Sequence, residues 1–415
     1  MRIVFVADGR SPIAVQWISH FVEHGHEVHL LSTFHCAPAL ELASLTFIPV
    51  AFSQWIRTRG DMGQRAPAGH PRGFGAGSWL RSAGWVGIRT RLRQWLGPLT
   101  VPVAARAASD VVARIQPDII HALRIPFEGM LAAHADLPAP LVCSVWGNDF
   151  TLHASASPGM ARLTRATLGR ASGLHTDTER DLHLASDWGY PADRPSVVLP
   201  TGGGVRAEVF HPGKTDRSRL DDSLVKILGS IPASAPVVVN PRGFRAYVRN
   251  DTFFQSIPAI LEQIPDARFL CPAMQGQDQA QRWIRRLDIE AAVSLLPKLT
   301  PHELAAVYQR AMVTVSISEH DGTPNTFLEA MACGSYPVVG DIESMREWRS
   351  HGISSTLVPP HDHVALASAV VSALTDDAGR MSASEVNRRL VAERAERHAV
   401  MTNAEGFYQQ VRASL

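Results

Sequence analysis

Long apolar runs are missing from this 415-residue sequence. Nothing approaches the eighteen or more consecutive apolar residues of a membrane-spanning helix. The opening MRIVFVADGR meets Asp8 and Arg10 too soon to be a secretory leader, so a cytoplasmic location is expected. Cysteine is scarce: Cys36, Cys143, Cys271 and Cys333 stand far apart with no C-x-x-C pair, and three lie in apolar runs, as reduced, buried thiols do. Net charge is almost absent, 40 Lys and Arg against 39 Asp and Glu, and a protein that balanced lacks the basic stripe of a nucleic-acid binder. The loop Asp8 to Pro12 holds one glycine rather than G-x-G-x-x-G, and neither a G-x-x-x-x-G-K-[ST] loop, an H-E-x-x-H helix nor a G-x-S-x-G elbow occurs. These absences argue against a nicotinamide, an ATP phosphate, a catalytic zinc and a serine nucleophile. The eighteen histidines show no metal-ligand spacing beyond His361 and His363, read as surface residues, so neither a metal nor a cofactor is expected.

What is present is the material of an α/β enzyme. The length exceeds what one hydrophobic core fills, so two domains are expected. Hydrophobic residues make up 45% and charged residues 19%, ordinary for a globular protein. Ile3 to Ala7 reads as a strand, Asp8 to Pro12 as a turn, and Ile13, Trp17, Phe21 and Val22 as the apolar stripe of a helix that Gly25 ends. Glu27 to Ser32 then resumes as a parallel strand. Further strands are expected at Thr46 to Ala51, Asp118 to His121, Pro140 to Val145, Gly173 to Thr176 and Ser196 to Leu199, with helices at Val101 to Ile115 and Pro158 to Arg170. Pro, Gly and charge accumulate from Pro200 to Leu220, as in an interdomain linker. The alternation restarts with strands at Pro236 to Asn240, Arg268 to Cys271, Val293 to Leu296, Val313 to Ile317, Pro337 to Val339 and Thr356 to Val358, and helices at Thr252 to Gln263 and Pro301 to Arg310. The expected organisation is two Rossmann-like doubly wound domains, residues 1–205 and 223–395, facing each other across a cleft. Residues 206–222 link them, and a helix over 396–415 packs back on the first domain.

The stretch SISEHDGTPNTFLEAMACGSYPVVGDI, Ser316 to Ile342, carries the chemistry. A strand ends, a polar loop with Gly322 and Pro324 follows, and a helix starts near Asn325. Its first turn offers free amides and the positive end of the helix dipole, which suit a diphosphate. Asp321 in the loop and Glu329 one turn into the helix are acceptors for sugar hydroxyls. A packed helix ending at Gly334 accounts for the same residues without any ligand.

D-G-T-P-N-T-F-L-E-A-M-A-C-G followed by P-V-V resembles the signature of the family-four (group 1) retaining glycosyltransferases of GT-B fold, in which two acids bracket seven residues. The resemblance assigns Glu329 to the donor ribose and Asp321, where the family usually has glutamate, to the donor sugar. Glu319 is the alternative, ten residues before Glu329 rather than eight. Pro241-Arg242-Gly243 resembles the family's G-R-L, whose arginine binds the diphosphate. The family lysine that follows is absent, and Arg245 and Arg249 are the available cations, Arg249 in the better position. Pro117-Asp118-Ile119-Ile120-His121 and Val145-Trp146-Gly147-Asn148-Asp149 resemble two further family segments, with Trp146 in place of a histidine. Gly9 resembles the glycine that lets donor and acceptor approach.

The resemblance implies a metal-independent transfer, with retention, from a nucleoside-diphosphate sugar to a sugar, lipid-linked or small-molecule acceptor. Asp321, Arg242 and Arg249 then form the catalytic group. Glu329, Gly322, Thr323, Pro324, Asn325, Thr326 and Gly9 bind donor, while Trp146, Asp149 and His121 lie on the acceptor side, and His121 or His153 is the candidate to stand in for the histidine that Trp146 replaces. Domain closure about Pro200 to Gly213 is expected to assemble the site. A sugar-nucleotide epimerase, a phosphorylase and a non-catalytic sugar-nucleotide sensor are the competing readings.

Between Gln54 and Pro98 the arginines 57, 59, 65, 72, 81, 89, 91 and 93 face one acid, Asp61. Within 77–99, Trp85, Ile88, Leu92, Trp95 and Leu99 recur at helical spacing, interrupted by Arg89, Arg91 and Arg93. That pattern fits either a helix lying on an anionic membrane surface or one packed on the first domain with its arginines in water.

Overall fold

The computed structural model describes residues 1–55 and 83–414, apart from the side chains of residues 55 and 83–89. The arginines at 57, 59, 65, 72 and 81, the acid Asp61, and the side chains of Trp85, Ile88 and Arg89 thus lie outside the described residues. Two compact units are present: Met1–Thr176 with Asp181–Thr201 and Ala404–Leu415, and Asp177–Arg180 with Gly202–Asn403.

The first domain is a sheet of seven parallel strands, β1 (Arg2–Ala7), β2 (Glu27–Ser32), β3 (Ser44–Phe47), β4 (Ile119–Ala122), β5 (Leu141–Val145), β6 (Gly173–Thr176) and β7 (Ser196–Val198), in the order β3-β2-β1-β4-β5-β6-β7. Helices cover both faces of such a sheet, so its central strands read as continuous apolar runs, and Ile3, Val4 and Phe5 are completely buried. The helix Pro12–Glu23 begins where Ser11 accepts the amide of Ala14 and a proline occupies the first turn. It ends at His24, and Gly25 follows at φ 73°, a left-handed conformation that only glycine adopts without strain. Trp17, Ile18 and Phe21 face inward, each worth roughly 2–3 kcal/mol of burial.

The strand expected at Thr46 to Ala51 sits earlier, at Ser44–Phe47. Phe47 pairs with Ser32, the last residue of β2, so the ladder stops there, and Ala51 and Phe52 then turn the chain through positive φ. At the other end of the sequence, the helix Arg397–Ala413 contributes Tyr408 to the core of this first domain. Its hydroxyl accepts from Trp17 Nε1 at 3.1 Å and lies 2.5 Å from His121 Nδ1.

The second domain repeats the plan with six parallel strands, β8 (Val237–Val239), β9 (Arg268–Cys271), β10 (Val293–Leu295), β11 (Val313–Ser316), β12 (Tyr336–Gly340) and β13 (Thr356–Val358), in the order β10-β9-β8-β11-β12-β13. Period-two alternation sends Val238 into the apolar cluster on one face and Val237 and Val239 into that on the other. Part of the expected linker belongs to this domain. Val205, Val209 and Phe210 are buried in its core, and the Val205 amide bonds the Ala395 carbonyl at 2.7 Å. Cys143, Cys271 and Cys333 are buried free thiols and Cys36 is half-buried; burial pushes Cys143 and Cys333 up to about 12.

Candidate active site

Strand order in the second sheet reverses between β8 and β11, so the loops leaving these two strands diverge and open a crevice at their carboxyl ends. Arg242 leaves β8 there and Asp321 leaves β11. The Arg242 backbone amide bonds Asn240 Oδ1, and Asn240 is held in turn by Asn250 at 3.0 Å. The guanidinium reaches Asp321 Oδ2 at 2.5 Å and Thr326 Oγ1 at 3.3 Å. Its Nε is buried and has no hydrogen-bond partner among the described residues. Asp321 also accepts from Ser318 Oγ at 3.0 Å, while Ser344 holds its backbone carbonyl at 2.8 Å. The acid is thereby fixed from both ends.

The helix Asn325–Ala332 starts directly beyond. Pro324 caps it with no side-chain bond, and the Phe327 and Leu328 amides both turn back to the Pro324 carbonyl. The Asn325 and Thr326 amides are the ones such a first turn leaves over for an anion. Gly322 and Thr323 are buried supports. Thr323 donates to the Asp177 carbonyl at 3.0 Å and accepts from Trp348 Nε1 at 2.9 Å. Asn325 packs so closely on Gly202 that a β-carbon there would lie 2.0 Å from its amide nitrogen.

Glu329, one turn into the helix, is half-buried. Burial pushes its carboxyl up to about 7, against the pull of Arg206. The Tyr308 hydroxyl, buried with no hydrogen-bond partner among the described residues, is raised by burial and then by the charge of Glu329. Arg206 Nε is likewise buried and has no partner among the described residues. Arg206 and Tyr308 were not among the expected site residues. Arg206 lies in a stretch read as linker and Tyr308 on the inner face of an ordinary amphipathic helix, so neither shows a spacing that marks it.

Arg249 has different surroundings from Arg242. Its Nε and one terminal nitrogen grip Asp251, the other bonds Glu319 Oε1 at 2.8 Å, and His361 Nε2 also lies 2.8 Å from that oxygen. Those bonds, Asp251 first, hold its guanidinium pKa above the ordinary value. The two sequence alternatives, Asp321 and Glu319, are thus divided between the two arginines. Arg249 has both acids to give up before it meets a phosphate, whereas Arg242 keeps a buried donor in reserve.

In the first domain Gly9 sits where a β-carbon would fall 2.4 Å from Cys36 Sγ, and its amide donates to Ser32 Oγ. Asp149 is saturated. It accepts from Arg124 at 2.6 Å and from the amides of Ile125 and Trp146 at 3.1 Å each, so it shapes the loop after β5. Trp146 is half-buried with the Arg124 guanidinium 5.3 Å from its ring centre. His121, expected on the acceptor side, is instead a core residue with no exposure. Its Nε2 lies 2.8 Å from Ser144 Oγ, which lies 2.9 Å from His175 Nδ1, and His175 Nε2 donates to the Leu199 carbonyl at 2.9 Å. Burial drives His121 well below its ordinary pKa and His175 to about 4, so both rings are neutral structural links. His153 is half-buried beside Gln94 at 3.1 Å.

Residues 226–376 match the model described as glycosyl transferases group 1, and residues 9–201 that of the glycosyl transferase 4-like domain. The chain belongs to the group 1 glycosyltransferases. It is 31% identical over 245 residues to the D-inositol 3-phosphate glycosyltransferase of Stackebrandtia nassauensis, covering 54% of this chain and 52% of the relative. With the protein of that name from Corynebacterium glutamicum it shares 25% over 226 residues, 52% of each. This group 1 glycosyltransferase therefore spans about half the length of the curated relatives it matches. Its fold is similar to that of sucrose-phosphate synthase from Thermosynechococcus elongatus, with a TM-score of 0.72 at 16% identity over 100% of both chains. Anabaena Alr3699/HepE, solved with UDP and glucose, gives a TM-score of 0.69 at 14% identity over 98% of each. The architecture is GT-B.

Proposed function

We propose that this group 1 glycosyltransferase moves a sugar from a nucleoside-diphosphate sugar to an acceptor hydroxyl, with retention and without a metal. The observation that carries the reading is the junction of Arg242, Asp321 and the uncapped helix start at Asn325 and Thr326, all at the switch point of one sheet. The diphosphate meets the Arg242 guanidinium and the helix amides, whose charge and dipole stabilise the leaving group. Glu329 accepts from the ribose hydroxyls. Asp321, exchanging part of its bond to Arg242, orients the transferred sugar. Retention and metal independence rest on the family resemblance. With no protein nucleophile assigned, the acceptor attacks the face that the diphosphate leaves, and a diphosphate oxygen takes the acceptor proton.

UDP-glucose is the first donor to try, because Alr3699/HepE was solved with it. Inositol phosphates are the first acceptors, following the names of the relatives. The test is a panel of nucleoside-diphosphate sugars with these acceptors in chelator-treated buffer, the product anomer being read by NMR. A product of inverted anomeric configuration, or turnover only after divalent metal is restored, would count against the mechanism. Rearrangement of the donor alone would move the assignment to an epimerase.

For a lipid-linked acceptor, one surface is relevant. Leu92, Trp95, Leu99 and Val103 are each more than half exposed, at 55%, 60%, 75% and 71%, and Arg91 beside them is exposed. Arg93 is not part of that surface: it turns inward, its guanidinium 4.5 Å from the Phe127 ring centre and 5.2 Å from that of Phe34. The proposed occupant is an anionic bilayer, with Trp95 at headgroup depth. Sedimentation with anionic but not neutral vesicles, fading with salt, is the expected result; equal absence from both favours a soluble acceptor.

A further inference from the structure

At the amino-terminal ends of β1 and β2 in the first sheet, three potential metal donors converge from remote parts of the sequence. His20 lies in the last turn of the helix Pro12–Glu23 and His24 is its C-cap, so the i, i+4 spacing brings their rings together, tilted by 31° with centres 3.9 Å apart. Glu405 comes from the helix Arg397–Ala413, 385 residues away in sequence, and places Oε1 2.8 Å from His20 Nε2. One ligand atom from each of the three residues lies within 4.8 Å of the others. His26 adds a fourth donor, its Nε2 3.8 Å from the same Glu405 oxygen.

From these residues we infer a zinc-binding site formed by His20, His24 and Glu405, with His26 closing the fourth position. Tetrahedral zinc holds its nitrogen and oxygen ligands about 2.0–2.2 Å from the ion and so roughly 3.3 Å from one another. The 2.8 Å contact need open only slightly and the 3.8 Å contact close slightly, within the reach of side-chain torsions. His24 is already set for the task. Its Nδ1 donates to the His20 carbonyl at 2.7 Å, which leaves the lone pair on Nε2 and supplies the outer hydrogen bond that metal-binding imidazoles commonly make. Imidazoles with a single carboxylate suit zinc-class ions and not magnesium or calcium, which prefer all-oxygen shells.

The place in the fold indicates what the ion does. Arg2 and Glu27, the first residues of β1 and β2, pair next to His26 of the cluster, whereas the carboxyl ends of the strands, where ligands of such sheets bind, lie at the opposite end of the sheet. The ion is therefore a staple that fastens the terminal helix to the first helix, independent of the sugar-transfer reading. The site is hidden in the sequence because its third ligand, Glu405, lies 385 residues from His20.

The test uses the full chain without a histidine tag, titrated with zinc against a chromophoric chelator and followed by thermal melting. One equivalent of zinc and a raised melting temperature are expected, unaffected by millimolar magnesium. His24→Ala, at an exposed position, and Glu405→Gln should each weaken zinc by about tenfold or more, while Cys36→Ser and His361→Ala leave it unchanged. Circular dichroism of each variant establishes that it is folded, and His24→Gln repeats the test with a bulkier side chain. No zinc retained against the chelator, or equal affinity in the wild type and the folded His24 and Glu405 variants, overturns the site.

Discussion

Two buried polar clusters, one in each domain, show opposite patterns of hydrogen-bond satisfaction. In the first domain Trp17, Tyr408, His121, Ser144, His175 and the Leu199 carbonyl form a chain in which each link has a partner at 2.5–3.1 Å. In the second, Arg242 Nε, Arg206 Nε and the Tyr308 hydroxyl are buried with no partner among the described residues, around a Glu329 carboxyl whose pKa is pushed up to about 7. A buried polar group without a partner costs roughly 1–3 kcal/mol, so the second cluster is stable only because the rest of the domain compensates. A completed network fixes a fold. An incomplete one is poised to receive hydroxyls and charge from outside, and here it lies beside the helix terminus that suits a diphosphate.

The largest contrast should appear on breaking the completed chain. His121→Ala leaves Tyr408 and Ser144 without their shared partner and opens a cavity. A loss of about 3–5 kcal/mol in denaturant unfolding is expected, with nucleoside-diphosphate affinity of the folded fraction unchanged. A fall in that affinity would contradict the separation of roles.

Glu329 makes the second prediction, and its sign is definite. A carboxyl raised from its ordinary value to about 7 in the folded protein binds a proton that the unfolded chain has already released. The associated stability is present below pH 4.5 and is lost as pH rises through 7. The wild type should therefore lose of the order of 3 kcal/mol between pH 5 and 8 from this group, and Glu329→Gln should flatten the slope. An unchanged slope would mean that Glu329 is not held as described.

The acids and arginines divide more finely. Asp321→Asn frees Arg242 from its ion pair, so free nucleoside diphosphate should bind at least as well, while discrimination between donor sugars and turnover decline. Equal loss of nucleotide and sugar binding would remove that division of labour. Arg249→Ala should have the smallest effect on nucleotide affinity, about 1 kcal/mol or less, because Asp251 and Glu319 already neutralise its charge.

Much of this was legible in the order of residues. Strands such as Glu27 to Ser32 and Arg268 to Cys271, and helices such as Pro158 to Arg170, lie where apolar periodicity and caps place them, because their ends carry chemical signals: Ser157 as an N-cap, a proline in the first turn. β3 was displaced because an edge strand ends where its neighbour ends, which no local pattern records. At the site, the acid spacing and the helix start near Asn325 were readable, since a strand, loop and helix are contiguous. Which arginine pairs with which acid was not, because Arg242 and Asp321 meet across 79 residues. Burial of His121 was equally hidden, since its partner Tyr408 lies 287 residues away.

The central claim is that Arg242 and Glu329 form a nucleoside-diphosphate site that protein groups alone leave incomplete. Calorimetric titration of UDP into the wild type, Arg242→Ala and Glu329→Gln at pH 6 and pH 8 tests it most directly. The wild type should bind more tightly at pH 8, where Glu329 is ionised and accepts from the ribose. Arg242→Ala should lose about 1.5–3 kcal/mol at both pH values, and Glu329→Gln should be weaker than wild type at pH 8 with little pH dependence of its own. Undiminished affinity in Arg242→Ala, together with an unchanged pH dependence in Glu329→Gln, would contradict the account.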